Sequence, residues 1–353
     1  MTKTILRLTL SGIFLTMMGI LLLLANLLPD FFFAFYPDVS RWLVSVIAGV
    51  TSVVPFAIFE IAVAALILLF ILTLIRAIFR RRMIRWLTGV LLSVSILAFA
   101  FVALWGLNYY APDMTQRLDL QKREFTTLEL RQACEYYRDM ANENANRVER
   151  NDDGTMKAYD FDTLAEQAGD GFDALSKTYD CFDGSTVRVK SLISSPLMGK
   201  LGTTGIFVCL TGEACVSDTT YRAAVPFTMC HEIGHRMAFA REDEASFAGF
   251  LACCENERPE FVYSGYYMAF KYCYSALKKA DPSAASEVWS GVSRELAADC
   301  NGAAEHYESV RSQTASEIAD TVYSGYLNAF SVESGTQSYG EVTDLLILWY
   351  FKQ

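Results

Sequence analysis

Charge is scarce at the start of this chain. Of its 353 residues 20% are charged, yet residues 1–107 hold only 8 Lys and Arg and 3 Asp and Glu. Subtraction from the totals of 30 and 40 leaves 22 basic and 37 acidic residues in 108–353, so the two parts carry formal charges of +5 and −15. Because a charge of −15 repels a phosphate backbone, the composition excludes nucleic acid as an expected partner.

Histidine and cysteine are absent from the first part. The three histidines and all nine cysteines lie in 108–353, so the chemistry is expected there. Nine is an odd number, and both a Cys209–Cys215 disulfide and a set of free buried thiols are compatible with the pattern. The chain also lacks internal repeats and low-complexity segments, and 246 residues suffice for one sizeable core.

Long apolar runs in the first part predict three transmembrane helices. Residues 8–28 contain no charge, and at 1.5 Å per residue they span roughly the 30 Å of a hydrocarbon core. A cleaved signal peptide is the alternative for this run, but no small-x-small cleavage pattern follows it. The predicted membrane domain is 1–110, in contact with the lipid bilayer, with helices at 8–28, 56–76 and 87–107 and an interfacial or re-entrant piece at 41–54 that ends before Pro55.

The positive charges in the short segments next to the predicted helices predict the orientation of the chain in the membrane. Five arginines lie between positions 76 and 85, and Lys3 and Arg7 precede the first helix. The positive-inside rule then predicts a multi-pass protein of the cell membrane with a cytoplasmic N-terminus and with residue 108 onward outside the cytoplasm. Glu60, near the start of the second helix, is interpreted as a carboxylate near the outer headgroups, with an ion or proton path as the alternative.

The second part is predicted to be a mainly helical α+β domain. Residues 111–125 form a polar connector, and the domain at 126–353 opens on a helix capped by Thr126 or Thr127. Segments 205–210 and 214–216 are predicted as two short strands of a small sheet. Beyond residue 225 the pattern is almost wholly helical.

Two histidines fall in the motif His231-Glu232-Ile233-Gly234-His235. Chance produces HExxH in about one in a thousand chains of this composition, and on a helix positions i and i+4 share a face, so both imidazoles reach one metal ion. Zn²⁺ accepts such ligands and leaves a position for water, with Glu232 as the general base. The motif predicts one Zn²⁺ per chain and hydrolysis of peptide bonds, whereas the competing interpretation is a surface helix with two unrelated histidines.

The sequence resembles an uncharacterised bacterial family of membrane-anchored HExxH proteins, a domain of unknown function presumed to contain gluzincin-like metallopeptidases. The resemblance covers nearly the whole chain and is carried by HEIGH together with these segments: Tyr36-Pro37, Val54-Pro55-Phe56 with Glu60, Trp105–Tyr110, Gly205-Ile206-Phe207, Thr211–Ala214, Pro226-Phe227-Thr228, Ala240–Phe247, Tyr263–Tyr266 and Ser338-Tyr339-Gly340. It implies a zincin-like fold and a metallopeptidase activity. Ser246 stands where the family pattern has Asn, and Val208-Cys209-Leu210 replaces a more aromatic or proline-containing strand.

A third protein ligand is expected downstream of the two histidines. Glu242, Glu244 and Glu255 are the nearest choices. Glu244 is preferred because it shares a helix face with apolar residues, where an unpaired carboxylate is unfavourable. The predicted metal ligands are therefore His231, His235 and Glu244.

Weaker patterns suggest further site residues. Gly205, Ile206, Phe207 and Glu213 are predicted to bind an extended peptide or protein substrate outside the cytoplasm, as an edge strand can. Candidate donors to the oxyanion are His306, Tyr263 and Tyr339. The alternative function is a non-catalytic sensor or scaffold at the cell surface that keeps the zinc fold, and Glu232 argues against it.

Overall fold

The computed structural model describes residues 2–329 and 340–352. Five helices form the first part: Thr2–Leu27 (α1), Pro29–Phe33 (α2), Tyr36–Thr51 (α3), Ile58–Phe79 (α4) and Met83–Leu104 (α5). A 3₁₀ turn at Gly106–Tyr110 follows. The three segments predicted as transmembrane are each helical, as α1, α4 and α5, with ends that differ by a few residues because apolar periodicity does not fix helix ends.

Four segments of the first part are long and apolar enough to cross a membrane: Thr2–Leu27, Pro29–Thr51, Ile58–Phe79 and Met83–Leu104. Protein covers little of the surface of the first, third and fourth segments, whereas 44% of the apolar stretch in Pro29–Thr51 is buried. In the most apolar stretch of α4 no residue is buried, and Leu66 and Leu69 are 53% and 56% exposed. Such a continuous apolar surface requires an apolar environment other than water.

The long helices have a defined direction. The Arg7 guanidinium in α1 donates a hydrogen bond of 2.6 Å to the carbonyl of Arg85 in α5, so the two helices begin side by side and run parallel. The short turn between α4 and α5 makes α4 antiparallel to both. The N-terminus and the arginine cluster therefore lie at one end of this bundle, and Trp105 lies at the other.

Helix α3 does not run between those two ends. At its start the Tyr36 hydroxyl donates to the carbonyls of Val102 and Ala103, at 3.2 and 3.3 Å, in the last turn of α5. At its end the Thr51 hydroxyl donates to the carbonyl of Thr211 in the second part, at 2.9 Å. Both ends of α3 thus lie at the Trp105 end of the bundle.

The second part is mainly helical. Its helices are Met114–Arg117 (α6), Thr127–Ala145 (α7), Phe161–Gln167 (α8), Asp170–Leu175 (α9), Ser195–Leu201 (α10), Val225–Arg236 (α11), Glu242–Cys254 (α12), Pro259–Ala280 (α13), Pro282–Trp289 (α14), Arg294–Val310 (α15), Gln313–Ala329 (α16) and Glu341–Lys352 (α17). Short 3₁₀ turns occupy Asp180–Phe182 and Arg222–Ala224. Thr126 caps α7 in a reciprocal capping box with Glu129, which confirms the predicted start of this helix.

A three-stranded sheet completes the second part. Its strands Lys190–Ser191 (β1), Gly205–Val208 (β2) and Glu213–Val216 (β3) lie in the order β1-β3-β2, with β3 parallel to β1 and antiparallel to β2. The predicted hairpin is therefore present, and β2 is an edge strand. All nine cysteines are free thiols, which excludes the Cys209–Cys215 disulfide in this structure.

Aromatic side chains form the core between α7, α11, α12 and α13. Tyr137, Phe247, Phe261 and Phe270 are fully buried there, each removing a large apolar surface from water. Helix α11, which carries both histidines of the motif, packs between this core and the sheet. The core therefore fixes α11 on one side, and the sheet covers its other side.

Candidate metal centre

Helix α11 carries the HExxH motif. Pro226 lies in its first turn, where a missing N–H costs nothing. His231 and His235 are one turn apart, and their ring centroids are 4.7 Å from each other. The helical spacing therefore brings the two imidazoles together as the sequence predicts.

The chain turns back sharply after this helix. Ala238 has a left-handed φ of 69°, and α12 begins at Glu242, seven residues after His235. Gly234 and Gly249 allow α11 and α12 to approach closely. A Cβ on Gly249 would lie 3.0 Å from the backbone nitrogen of His231, and one on Gly234 would lie 3.0 Å from the backbone carbonyl oxygen of Ala245. This close crossing returns the start of α12 to the histidines.

Glu242 is the acidic residue that joins them. Its carboxylate oxygens lie 3.2 Å from Nε2 of His231 and 3.5 Å from Nε2 of His235. One ligand atom from each of the three residues fits within 4.8 Å, so His231, His235 and Glu242 could hold a metal ion. In the described part of the chain, this is the one group of His, Cys, Asp and Glu that meets that criterion.

The structure corrects the preference for Glu244 over Glu242. Glu244 is buried, as its helix face predicts, but its carboxylate accepts a hydrogen bond of 2.8 Å from the backbone N–H of Met114 and lies 3.6 Å from Arg241. The Glu244 carboxylate therefore has a hydrogen-bond donor and a cationic neighbour of its own, Met114 and Arg241. Glu255 lies at the C-terminal end of α12, 20 residues after His235, and is exposed to solvent.

Hydrogen bonds orient both imidazoles. Nδ1 of His235 lies 2.8 Å from the carbonyl of Phe239, and since a carbonyl only accepts, this nitrogen carries the proton. Nδ1 of His231 lies 3.2 Å from the hydroxyl of Ser246. In each ring this leaves Nε2 facing Glu242, and metal-ligating histidines are oriented in this way. Ser246 is a site residue that the sequence analysis noted only as a departure from the family pattern.

The charged groups of the site shift one another's pKa values, and one buried carboxylate oxygen has no partner. Burial raises the pKa of Glu232 to about 7, although His231 and His235 oppose this, and its Oε2 has no hydrogen-bond partner among the described residues. Burial lowers the pKa of His235, but the adjacent Glu242 outweighs it and raises that pKa to about 9. Burial also raises the pKa of Glu242, yet the two histidines hold it well below its usual value. Converging carboxylates and imidazoles with one unsatisfied buried oxygen fit a divalent metal.

The edge strand β2 lies beside this group. A Cβ on Gly205 would lie only 2.4 Å from Oε1 of Glu232, so the strand backbone passes directly over the carboxylate. The rings of Phe207 and His235 are nearly parallel, with centroids 6.4 Å apart. Gly205, Ile206 and Phe207 are half-buried, and β3 pairs with only one side of β2.

Glu213 lies elsewhere. It is buried in an ion pair of 2.6 Å with Lys190, and its oxygens accept from the backbone N–H groups of Ile58 and Phe59 at the start of α4. The side chain therefore connects the sheet to α4, and this engagement leaves no free oxygen for the predicted contact with substrate.

Of the three proposed oxyanion donors, the two that the structure describes bond to other groups. Nε2 of His306 lies 2.7 Å from the carbonyl of Thr219. The Tyr263 hydroxyl, fully buried, donates to Asp299, which also pairs with Arg150. Tyr339 lies outside the described residues.

Tyr323 is a hydroxyl that the sequence analysis did not select. It lies on α16, and its hydroxyl donates to Oε1 of Glu242. Nothing in the local sequence distinguishes it among 18 tyrosines, because α16 reaches the site only through the tertiary fold.

A family model described as "Protein of unknown function (DUF3810)" matches residues 35–347 of the chain. The match includes α3 to α5, the sheet and the HExxH helix. No curated protein and no solved structure matches the chain.

Proposed function

This chain belongs to the DUF3810 family, whose function is unknown, and we propose a function from the geometry of its site. We propose that the chain is a membrane-anchored zinc metallopeptidase with a zincin-like catalytic domain. The observation that carries the proposal is the convergence of His231, His235 and Glu242 next to the unsatisfied carboxylate of Glu232. Two imidazoles and a carboxylate are a ligand set of catalytic zinc sites.

Each residue has a distinct role in this proposal. His231, His235 and Glu242 hold Zn²⁺, which when bound polarises the carbonyl and makes water acidic enough to react near neutral pH. Glu232 accepts a proton from the attacking water and passes it to the departing amine. The C–N bond breaks, the water oxygen stays on the new carboxylate, and the departing amine takes both water protons and leaves as an ammonium group.

The edge strand β2 provides the substrate-binding surface. An extended peptide that pairs with the free side of β2 at Gly205, Ile206 and Phe207 passes next to Glu232. Main-chain hydrogen bonds of this kind hold peptides of many sequences, and Phe207 adds an apolar contact. The Tyr323 hydroxyl also lies near the proposed metal ligands, since it donates to Oε1 of Glu242.

We further propose three membrane crossings, with α3 lying at the interface. The two ends of α3 lie at the same end of the bundle, so α1, α4 and α5 make the crossings. The arginine cluster and the N-terminus lie at the opposite end from the second part. By the positive-inside rule the catalytic domain is then outside the cytoplasm.

The test uses the full chain purified in detergent. Wild type is expected to contain about one zinc per chain, His231→Ala to lose it, and Glu232→Gln to keep the metal but not hydrolyse a peptide library. Elemental analysis and mass spectrometry of the library provide the two readouts. Absence of stoichiometric metal from wild type would refute the proposal, and metal without hydrolysis would favour the sensor or scaffold.

A further inference from the structure

We infer that the site acts on polypeptide segments immediately next to the bilayer, in substrates anchored in the same membrane. This inference names a substrate class for the proposed peptidase and rests on that function. It is carried by the direct contact between the metal-binding residues and the end of a membrane helix, and by the bonds that hold the catalytic domain against the bilayer.

Trp105 makes the first contact. It is the residue after the last turn of α5, and its indole N–H donates to the carbonyl of His235 at 3.3 Å. The Trp105 ring lies 6.2 Å from the His235 ring and 5.6 Å from the Phe207 ring. One aromatic residue thus touches the end of a membrane helix, a proposed metal ligand and the substrate strand.

The sheet is bound to the start of α4. Besides the bonds from Ile58 and Phe59 to Glu213, the Glu60 carboxylate accepts from the N–H groups of Ile193 and Ser194, at 2.7 and 2.8 Å. Glu60 therefore links the start of α4 to the second part. Because α4 and α5 are antiparallel neighbours, these bonds lie at the same depth as Trp105.

Helix α3 and the connector hold the domain from other sides. The Arg41 guanidinium donates to the carbonyls of Cys181 and Asp180, and the Lys190 ammonium donates to the carbonyl of Thr51. In the connector, the N–H of Met114 donates to Glu244. The catalytic domain is thus fixed to the membrane helices by bonds from four segments and is not suspended on a flexible stalk.

Apolar side chains of the domain are exposed at this same depth. Ile193, next to the Glu60 bond, is 66% exposed, and Leu197 on the adjoining α10 is 58% exposed. Water is an unfavourable neighbour for both, whereas the bilayer beside α4 provides an apolar one. We assign the bilayer as the neighbour of Ile193 and Leu197, because the surface that these two residues form adjoins the exposed apolar face of α4.

These contacts set the reach of the site. The 22 residues of α5 are about 33 Å long, close to the hydrocarbon thickness, so the bilayer ends near Trp105. The Trp105 ring lies 6.2 Å from the His235 ring, a distance that about two extended residues cover. The scissile bond is therefore expected within about the first eight residues outside the membrane.

The experiment compares two anchored substrates at equal surface density. The full chain is reconstituted in vesicles with a randomised ten-residue segment placed either directly after a transmembrane helix or behind a helical spacer of about 20 residues, roughly 30 Å long. Both substrates are confined to the same membrane, so confinement alone favours neither. The directly attached library is expected to be cut at least tenfold faster, with products that end within eight residues of the helix.

A second readout does not need turnover. In the Glu232→Gln variant, a photo-crosslinking residue in place of Leu210, at the β2–β3 turn, is expected to capture the directly attached library in preference to the spaced one. Equal cleavage and equal capture of both libraries would overturn the inference while leaving the peptidase intact. Selective capture without cleavage by wild type would support binding next to the membrane and refute hydrolysis, and neither capture nor cleavage would overturn both.

Discussion

At the scale of single residues, the proposed third metal ligand follows from the neighbours of two carboxylates, Glu242 and Glu244. Glu242 and Glu244 are two positions apart and both lie in the first turn of α12. Glu244 is the more buried, but Met114 donates to it. Glu242 faces Nε2 of both histidines. Burial alone is therefore a poor guide to metal ligation, and the identity of each neighbour is what matters.

This difference gives a matched pair of variants. Glu242→Gln is expected to weaken Zn²⁺ binding by at least about 100-fold, more than loss of an orienting partner alone would cost. Glu244→Gln is the control and is expected to bind zinc like wild type, since an amide oxygen still accepts from Met114. Chelator competition on the purified full chain measures both affinities, and the opposite ranking would return the ligand role to Glu244.

At the scale of secondary-structure elements, the position of β2 over α11 depends on the absence of a side chain at Gly205. The strand backbone lies so close to Glu232 that a methyl group would overlap its carboxylate. Gly234 and Gly249 have the corresponding role where α11 crosses α12. Small residues at these crossings thus bring three elements to one centre.

Gly205→Ala should therefore separate metal binding from catalysis. The added methyl group displaces either β2 or the Glu232 side chain, and a misplacement of about 1 Å can cost a factor of about 100 in rate. We expect kcat/KM to fall by about this factor while zinc content is unchanged. Gly49→Ala is the control, because no atom lies within 4 Å of the added Cβ. Full activity of Gly205→Ala would show that β2 is not held against Glu232.

The sheet depends on a buried ion pair whose strength varies with pH. Burial raises the pKa of Glu213, but Lys190 and the N–H groups of Ile58 and Phe59 outweigh it and lower that pKa below 4.5. A lowered pKa in the folded state stabilises the fold at all pH values above the unfolded-state pKa, and this contribution is lost as pH falls through the folded-state pKa. The loss is therefore expected below about pH 4.5.

Glu213→Gln tests this link. At pH 7 it should destabilise the fold by about 3 kcal/mol, because it leaves the Lys190 ammonium buried without its counter-ion. The variant should also lack the part of the acid sensitivity that Glu213 contributes. Thermal unfolding in detergent between pH 3.5 and 7 measures both effects. Glu149→Gln, from the exposed pair with Lys157, is the control and is expected to change stability by less than about 1 kcal/mol.

At the scale of the whole molecule, hydrogen bonds join the apolar helices of the first part to the second part. Glu60, Arg41 and Trp105 each join a segment of the first part to one of the second. A division of the chain at residue 110, which hydropathy suggests, cuts through these contacts. The test protein for any activity is therefore the full chain and not residues 126–353 alone.

The orientation of this unit can be measured in intact cells. An impermeant maleimide is expected to label Ser283→Cys, exposed at the start of α14, and not Met83→Cys, in the turn beside the arginine cluster. The expectation follows from the positive-inside rule and the opposite ends at which the two residues lie. The chain with its native cysteines provides the blank, since six of the nine are buried. The reverse labelling pattern would place the site in the cytoplasm.

Local sequence determined the features that depend on spacing along the chain. Uninterrupted apolar runs identify α1, α4 and α5, and two short β-leaning segments on either side of Thr211-Gly212 identify the hairpin. The i, i+4 histidines of α11 are adjacent because a helix turns every 3.6 residues. Tertiary structure decided the rest. A left-handed turn and a helix crossing bring Glu242 next to the two histidines. Backbone N–H groups from distant segments donate hydrogen bonds to Glu244 and Glu213. Tyr323 and Trp105 lie on other helices and reach the site through the tertiary fold. Such partners are far apart in sequence, and the free energy that brings them together comes from burying the whole core, which no local pattern encodes.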